Sequence, residues 1–239
     1  MATALKWDVI GKREFETGVS NTALYPINDL GVYEDGVAWS GITSVKVSPD
    51  GAEETPMYAD NIKYLSLTSA ENVKGSVDAF TYPPEFAVND GSLELIPGVY
   101  MSQQERRAFG LVWLTIVGND TLGNSYGEKL HILYNAKVAP SERSYETINE
   151  TPNAITFSWA FTTSPVDVSE WSEHLKRPLA YITIDSTKVK KAVYDAIKAI
   201  AYGTAATEEP ESAAIPAKMP TLDLIMPLIA AEIVTPPVG

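Results

Sequence analysis

Side chains able to do chemistry are few in this 239-residue sequence, and they form no known catalytic pattern. Its two histidines are His131, which alternates with apolar residues in a strand-like segment, and His174, which lies in the loop-like or short helical run SEHLKRP. Two histidines in such different contexts make a poor metal pair, so a structural or surface role is expected for each. The hydrolase motifs G-x-S-x-G and H-E-x-x-H are absent.

Carboxylates are numerous, and counting alone leaves a glycosidase-type acid pair open. However, no pair stands out in an apolar stretch of sequence that would shift its pKa. Cysteine is absent, which excludes disulfides, thiolate zinc sites and a cysteine nucleophile. The sequence therefore predicts no enzymatic activity, no metal and no cofactor, and it indicates a binding or structural protein.

The charge balance is acidic, with 31 aspartates and glutamates against 18 lysines and arginines and a formal net charge of −13. This argues against a specific nucleic-acid groove and against an anionic membrane surface, because both attract basic footprints. It is compatible with a channel through which nucleic acid slides without sticking. The N-terminal residues have no secretory-signal pattern. The apolar run LIMPLIAAEIV is short and interrupted by Pro227 and Glu232, so no membrane span is expected.

Two oxygen-rich segments, 29–60 and 118–128, could suggest a calcium site. The first lacks the D-x-[DN]-x-[DN]-G spacing, and a solvated, repulsive loop is the better interpretation. The second, GNDTLGNSYGE, has the asparagines and glycines that a hairpin loop needs in any case.

Two strand-like segments, 128–138 and 154–162, are the clearest structural signal. Large apolar residues alternate in each with smaller or polar ones, the period of two that gives a strand two different faces. The second face is small and hydroxylated, which suits a surface that packs on something or lines something. The connection 139–153 has turn signals at Pro140-Ser-Glu and Thr151-Pro-Asn, and its length is typical of a functional or mobile loop.

The remaining elements predict a mainly β fold: an antiparallel β-sandwich or partial barrel of seven to nine short strands, with one packed α-helix at about 188–202, an extended loop and terminal arms. Strands are expected at 15–27, 42–47, 56–67, 73–82, LVWLTIV and 179–184, with a turn at 48–55 and one helical turn at 84–88. Asp185 is the expected helix N-cap and Gly203 the residue that ends the helix.

The predicted domains are an N-terminal arm at 1–14, a β domain at 15–203, and a linker with C-terminal extension at 204–239. The segment 222–233 is expected to dock on the domain or on a neighbour.

A resemblance extends over roughly residues 15–200. The run YNAKVAPSERSYETINETPNAITFSWAFTTSPV, preceded in order by ALYPINDLGVYEDGVAWSGITSV, GAEETPMYADNIKYLSLTSAE, DAFTYPPEFAVNDGS and GLVWLTIVGND, resembles the major tail tube proteins of long-tailed, non-contractile bacteriophages. The resemblance implies a structural virion protein, assembled in the host cytoplasm, whose hexameric rings stack into a tube. Phage DNA would pass through its central channel without specific binding. The implied partners are further copies of the chain, the tape-measure protein, and the tail terminator and tip proteins.

By the same resemblance, the 41–60 segment would reach an adjacent subunit or ring. The expected subunit-interface residues are Ser48, Pro49, Asp50, Gly51, Glu53 and Glu54, together with the basic pair Arg106 and Arg107 and the aromatic Trp7 of the arm. Trp7 is equally compatible with an anchor on its own domain. The expected channel-lining residues are His131, Asn135, Lys137, Thr156, Ser158 and Thr162. The acidic composition predicts a net negative channel wall; the alternative is that the acidic residues only keep the outer surface soluble.

A second class remains open: a carbohydrate- or receptor-binding β-sandwich of a virion or secreted protein. That function needs exposed aromatic side chains in loops, and the candidates are Trp39, Tyr58, Tyr145 and Trp171. Negative-stain microscopy separates the two classes, because only the first predicts rings or tubes.

Overall fold

A computed structural model of the chain describes residues 4–51, 53–69, 71–145, 147–148, 154–206 and 214–232. The predicted turn at Thr151-Pro-Asn, residues 207–213 of the predicted linker and residues 233–239 of the predicted extension lie outside this range. The described chain is mainly β with antiparallel strands and a packed helix, so the predicted fold class is confirmed. Its elements are β1 Glu14–Pro26, β2 Val37–Ala38, β3 Ile42–Gly51, β4 Glu54–Ala59, β5 Ile62–Thr68, β6 Glu71–Ala79, β7 Leu93–Ile96, β8 Val99–Met101, β9 Phe109–Asn119, β10 Gly123–Val138, β11 Phe157–Thr163, β12 Tyr181–Asp185, α1 Lys191–Tyr202 and α2 Leu222–Ala230.

The chain divides into two compact units. The first contains residues 1–40, 110–132 and 182–239, and the second contains 41–109 and 133–181. Strand β10 contributes its first part to one unit and its last part to the other. In the first unit, β1 lies between β2 and β9, β9 pairs with β10, and β12 also pairs with β10. In the second unit, the order is β10, β11, β6, β3.

The first unit is built on β9, an apolar strand that is buried on both faces over most of its length, as its sequence predicts. The predicted helix is confirmed as α1, with Ile197 fully buried and Val193 half-buried. Gly203 ends the helix with a positive φ of 69°, as expected. The predicted N-cap is wrong. Asp185 instead closes a turn, because its Oδ1 accepts a hydrogen bond from the Thr187 backbone N at 2.8 Å, and the helix begins later, after Lys190.

A second helix, α2, corrects the prediction of a single helix. The sequence suggested that Pro227 breaks the segment, but it lies inside α2. The helix is held by burial rather than by propensity, since Leu222, Ile225 and Met226 are all buried. The preceding residues dock on the first unit through hydrogen bonds from Lys218 N to Ile200 O and from Gly36 N to Ala217 O, both 2.8 Å. The described part of the C-terminal extension therefore docks on its own chain.

The second unit has an aromatic core under its sheet. Trp159 and Phe161 of β11 and Val77 of β6 are buried, and Phe86 packs edge-on against Trp159 with ring centroids 5.0 Å apart. Gly75 lies between β3 and β11 in this sheet. A Cβ at Gly75 would lie 1.9 Å from the Lys46 carbonyl oxygen and 2.7 Å from the Phe161 ring, so this close approach requires glycine.

Two hairpins change the predicted strand pattern. Strand β3 continues to Gly51 through the predicted turn, and the predicted strand 56–67 is really two strands, β4 and β5. They are joined by Asp60 and Asn61, whose φ angles of 50° and 63° match the two-residue type I′ turn that suits hairpins. Strands β7 and β8 form an unpredicted hairpin that turns at Gly98, where φ is 84°.

The described chain thus has twelve strands, and the prediction of seven to nine is wrong. The excess comes from short strands in these hairpins and beside β1. In contrast, the hairpin loop predicted at 118–128 is confirmed. It is shorter than expected, because β10 begins at Gly123, and Asn119 Oδ1 accepts hydrogen bonds from the backbone N of Thr121 and Leu122.

Candidate functional site

The exposed side of the second unit's sheet is polar, and we call it the polar face. The strand register places three rows across it: Ser44, Asp78 and Ser158; then Lys46, Ser76 and Ala160; then Ser48, Lys74, Thr162 and Lys137. Asp50 lies beyond the third row on β3. Apart from Ala160, every one of these side chains is charged or hydroxylated, and all are half-buried or exposed. Alternation in four neighbouring strands therefore builds one continuous polar surface.

Two cross-strand ion pairs compensate charge on this face. Lys46 Nζ lies 3.2 Å from Asp78 Oδ2, and Lys74 Nζ lies 2.8 Å from Asp50 Oδ1. A hydrogen bond from Ser158 and the contact with Lys46 lower the pKa of Asp78 despite partial burial. The hydrogen bond to Asp50 raises the pKa of Lys74. Asp78 and Lys74 are therefore charged near neutral pH, and each lysine already has a carboxylate partner.

The polar face does not carry the net negative charge predicted for a channel wall. Two aspartates oppose three lysines on it, because Lys137 adds a charge beyond the two ion pairs. The net charge of −13 is therefore not spread evenly over the surface. Acidic and basic side chains are instead matched locally where strands pair.

Three of the predicted channel-lining residues, Lys137, Ser158 and Thr162, lie on the polar face and are exposed. Thr156 is also exposed but precedes β11. Asn135 is half-buried, has a positive φ of 47°, and donates its side-chain amide to the Ser164 carbonyl at 3.2 Å. Asn135 therefore lies at an irregularity in β10, and it is not part of the regular rows of the polar face.

His131 is the clear exception, since it lies in the first unit and is only 6% exposed. Its ring stacks on Trp113, Nε2 lies 2.8 Å from Thr115 Oγ1, and Nδ1 lies 3.4 Å from Thr183 Oγ1. A residue buried in this way does not line a channel, so that prediction is wrong. Its position in the alternating pattern was read correctly, but the elements that cover it are not adjacent in sequence.

The hydrogen bonds around His131 indicate a structural role. Thr115 donates its single hydroxyl proton to Glu16 Oε1 at 2.7 Å, so it can only accept from Nε2, which must carry the imidazole proton. Burial lowers the pKa of His131, and nearby Glu16 opposes that shift only in part. The imidazole is therefore neutral at pH 7, and its burial keeps it from solvent-borne substrates.

The predicted interface loop is distributed over two elements. Ser48 and Asp50 lie on the polar face, and Pro49 and Gly51 belong to the same strand, so none of the four lies in a projecting loop. Glu53 precedes β4 and is exposed, and Glu54 pairs with Lys63 at 2.8 Å across the hairpin. The projecting element is the β4–β5 hairpin that follows, which we call the first hairpin.

The first hairpin exposes large apolar side chains. Every residue of β4 is exposed, and Tyr58 and Tyr64 have exposed fractions of 71% and 70%. The register places Met57 opposite Leu65 and Thr55 opposite Leu67, so that Met57, Leu65 and Leu67 share one face. Among the described residues, the two strands of this hairpin pair only with each other.

The β7–β8 hairpin, here the second hairpin, has the same character. Leu93 lies opposite Met101 and Ile96 opposite Val99, and these four apolar side chains are all exposed. The two hairpins are the exposed apolar features of the second unit that sequence reasoning missed. The signal for the first was present in Asp60-Asn61, since both residue types tolerate positive φ.

The other predicted interface residues differ in exposure. Arg106 is half-buried, and its side chain passes over Gly91. Arg107 is exposed, and its carbonyl accepts a hydrogen bond from the Asn89 side chain at 3.2 Å. Trp7 is 76% exposed, which excludes the anchor on its own domain among the described contacts.

The aromatic residues expected for carbohydrate binding also differ. Trp39 is buried and Trp171 half-buried, while Tyr58 and Tyr145 are exposed.

In the described part of the chain, no group of three or more acidic or histidine side chains could hold a metal ion. Likewise, no helix there is long and apolar enough to cross a membrane. The site with the most developed geometry is therefore the polar face with the two hairpins.

Comparisons with known proteins add no identification: no protein-family model matches the chain, and no curated protein matches its sequence significantly.

Proposed function

We propose that the chain is a tube-forming virion subunit, the major tail tube protein of a long-tailed, non-contractile bacteriophage. The observation that carries this proposal is the pair of hairpins with exposed apolar faces. A two-stranded hairpin is marginally stable alone, and a contiguous exposed apolar surface marks a protein–protein interface. In a ring of copies, these faces become buried against neighbouring subunits.

Open sheet edges support the same proposal. Among the described strands, β3 pairs with β6 alone, so its other edge is free. Strand β2 pairs with β1 only at Ala23 and Leu24, and no other described strand pairs with residues 14–21 on that side. An uncovered edge is a template for pairing with another chain. It is a liability in a monomer, and in a ring it extends the sheet between copies.

The polar face supports a role as the channel wall. Duplex DNA carries about one negative charge per 1.7 Å of axis, and a basic wall binds it by releasing condensed counterions. Lys46 and Lys74 are already paired with carboxylates, so each contributes little to such release. A near-neutral, hydroxyl-rich wall lets DNA pass without holding it. This replaces the net negative wall that the composition predicted.

The resemblance supplies the rest of the proposal. The rings are hexameric, the tube contacts the tape-measure protein and the terminator and tip proteins, and DNA is present only during ejection. The subunits assemble in the host cytoplasm and end in the virion.

The test is assembly of the purified full-length protein, viewed by negative-stain microscopy. We expect rings or tubes from the unaltered chain, and folded monomers from a Met57→Ser/Leu65→Ser/Leu67→Ser variant. Leu122→Ser is the control, since Leu122 is at least as exposed as these three residues but lies in another part of the chain. Removing residues 48–54 is a poorer test, because it would cut the paired strand β3.

A monodisperse monomer at high concentration, or tubes from the triple variant, would overturn the proposal. A monomer that binds glycans would favour the carbohydrate-binding alternative, for which Tyr58 and Tyr145 are exposed.

A further inference from the structure

The N-terminal arm, residues 4–13, is held firmly at its base. Gly11 N donates to Asp120 Oδ1 at 2.9 Å, and Asp120 N donates to the Arg13 carbonyl at 3.2 Å. The Arg13 guanidinium donates twice to the Asp8 carbonyl, at 2.8 and 3.2 Å. Asp8 has a positive φ of 53°, so this clamp fixes a bend in the backbone. The arm therefore leaves the first unit in a set direction.

Beyond its base, the arm combines apolar and basic side chains. Leu5, Trp7 and Ile10 are each more than three-quarters exposed. Lys6 and Lys12 are exposed and form no ion pair with the described residues. Burying such a surface requires a partner that is both apolar and acidic.

A loop in the same unit, residues 28–35, has these complementary properties, and we call it the acidic loop. Asn28 Oδ1 accepts hydrogen bonds from the backbone N of Leu30 and Val32, each 3.0 Å, and Asn28 N donates to the Val32 carbonyl. Leu30 is 86% exposed and Val32 is also exposed, with Glu34 and Asp35 exposed beside them. The loop is thus a preformed apolar tip flanked by carboxylates.

Outside the arm, five of the six lysines of the first unit are already paired with carboxylates, and Lys218 is the exception among the described residues. The four lysines on and beside α1 are each paired with a carboxylate of their own unit: Lys188 with Glu14, Lys190 with Glu232, Lys191 with Asp195 and Lys198 with Glu128. The arm thus places two lysines that have no ion pair among the described residues beside three exposed large apolar side chains. Charge complementarity selects it as the ligand of the acidic loop.

We propose that the arm of one copy docks on the acidic loop of a second copy of this chain. Trp7 and Ile10 cover Leu30 and Val32, while Lys6 and Lys12 face Glu34 and Asp35. Both surfaces are exposed within the single chain, so the contact is made between copies. Each copy offers one arm and one loop, which makes the contact head-to-tail and suited to closed rings or continuing stacks. The inference rests on the proposed function in taking the second copy to be a neighbour in the tube.

The absence of cysteine makes a cross-linking test direct. Full-length Trp7→Cys and Leu30→Cys proteins are mixed under mild oxidation, and disulfide-linked dimers are read on a non-reducing gel. We expect heterodimers of the two variants, which only contact between copies can produce. Trp7→Cys mixed with Leu122→Cys is the matched control, because Leu122 is exposed in the same unit but outside the loop. A heterodimer yield no higher than in the control would overturn the proposal.

Charge reversal tests the chemistry of recognition. Adding Lys6→Glu and Lys12→Glu to the Trp7→Cys protein should lower the cross-link yield about fivefold, as two exposed ion pairs predict. Adding Glu34→Lys and Asp35→Lys to its Leu30→Cys partner should restore the yield. A yield that ignores both reversals would contradict docking by charge complementarity.

The outcome separates this inference from the proposed function. Tubes seen by microscopy without arm–loop cross-links would leave the tube proposal intact and overturn the docking. Cross-links between copies without rings or tubes would leave the docking intact and overturn the tube proposal.

Discussion

The imidazole of His131 lies flat against the indole of Trp113, with ring centroids 5.1 Å apart and 8° between the ring planes. The stack removes one histidine face from water, and Thr115 and Thr183 occupy its two ring nitrogens. Desolvation disfavours the charged imidazolium, which lowers the pKa of His131. The cluster therefore makes folding stability depend on pH.

We expect the protein to lose stability as the pH falls below about 6.5, the ordinary histidine pKa. In that range the unfolded chain binds a proton at His131 that the folded chain binds less well, so acid favours unfolding. A second loss of stability follows at lower pH and comes from Glu16. Burial alone would raise the pKa of Glu16, but hydrogen bonds from Lys129 and Thr115 outweigh it and lower the pKa. Thermal midpoints at pH 7.5 and 5.5 measure the first effect.

The His131→Gln variant should show a smaller fall in midpoint between those two pH values than the unaltered protein. His174→Gln is the matched control, because His174 is exposed. Equal pH dependence in the unaltered and His131→Gln proteins would show that this histidine is not the titrating group.

Thr163 supplies the second prediction. Its hydroxyl donates to the Val73 carbonyl at 2.8 Å and accepts from Val73 N at 3.1 Å, and its side chain is buried. Thr163→Val should destabilise the fold by about 1–3 kcal/mol, since two backbone groups lose their partner. Thr162→Val, one residue away on the exposed face, should change stability by less than about 0.5 kcal/mol. Urea unfolding of both variants measures these changes in the free energy of unfolding. Equal changes in the two variants would refute the role of the Thr163 hydroxyl.

Packing of α1 gives the third prediction. Ile197 is fully buried, so Ile197→Ala should cost about 2–5 kcal/mol through lost burial and a residual cavity. Val193 is only half-buried, so Val193→Ala should cost clearly less. Chemical denaturation measures both. An unchanged midpoint for Ile197→Ala would mean that α1 is not packed against the first unit.

The fourth prediction concerns Arg143, which pairs with Asp90 and lies over the rings of Tyr82 and Phe157, 5.7 Å from each centroid. Arg143→Met should destabilise the protein by about 1–3 kcal/mol, because it leaves a buried carboxylate unpaired. Adding Asp90→Asn should recover part of that loss. Arg177→Met, at an exposed arginine, is the control. A strictly additive double variant would show that the two side chains are not coupled.

Alternation in the sequence was enough to predict much of the fold and part of the polar face. Period-two patterns depend only on the local backbone, and they predict that Ser158 and Thr162 share one side of their strand, as the register confirms. The same pattern placed His131 with them, but β1 and β12 bring Glu16 and Thr183 to it from distant parts of the chain. Burial of a side chain by strands that are distant in the sequence leaves no pattern in the residues around it.

The hairpins were missed for a different reason. An alternating run continues across a two-residue turn, so β4 and β5 looked like one strand despite the positive φ angles of Asp60 and Asn61. The cross-strand ion pairs of Lys46 and Lys74 depend on register, which is set by all paired strands together. Net charge alone does not give the distribution of charges over that face.

Gly75 limits which substitutions this sequence can accept. The carbonyl of Lys46 and the ring of Phe161 occupy the space where any side chain would begin, so a mutation there must push β3 away from β6. That shift would separate Lys46 from Asp78 and Lys74 from Asp50, although none of these four residues had changed. Among descendants of this chain, the charged residues of the face can be exchanged pair by pair, whereas the glycine beneath them has no substitute.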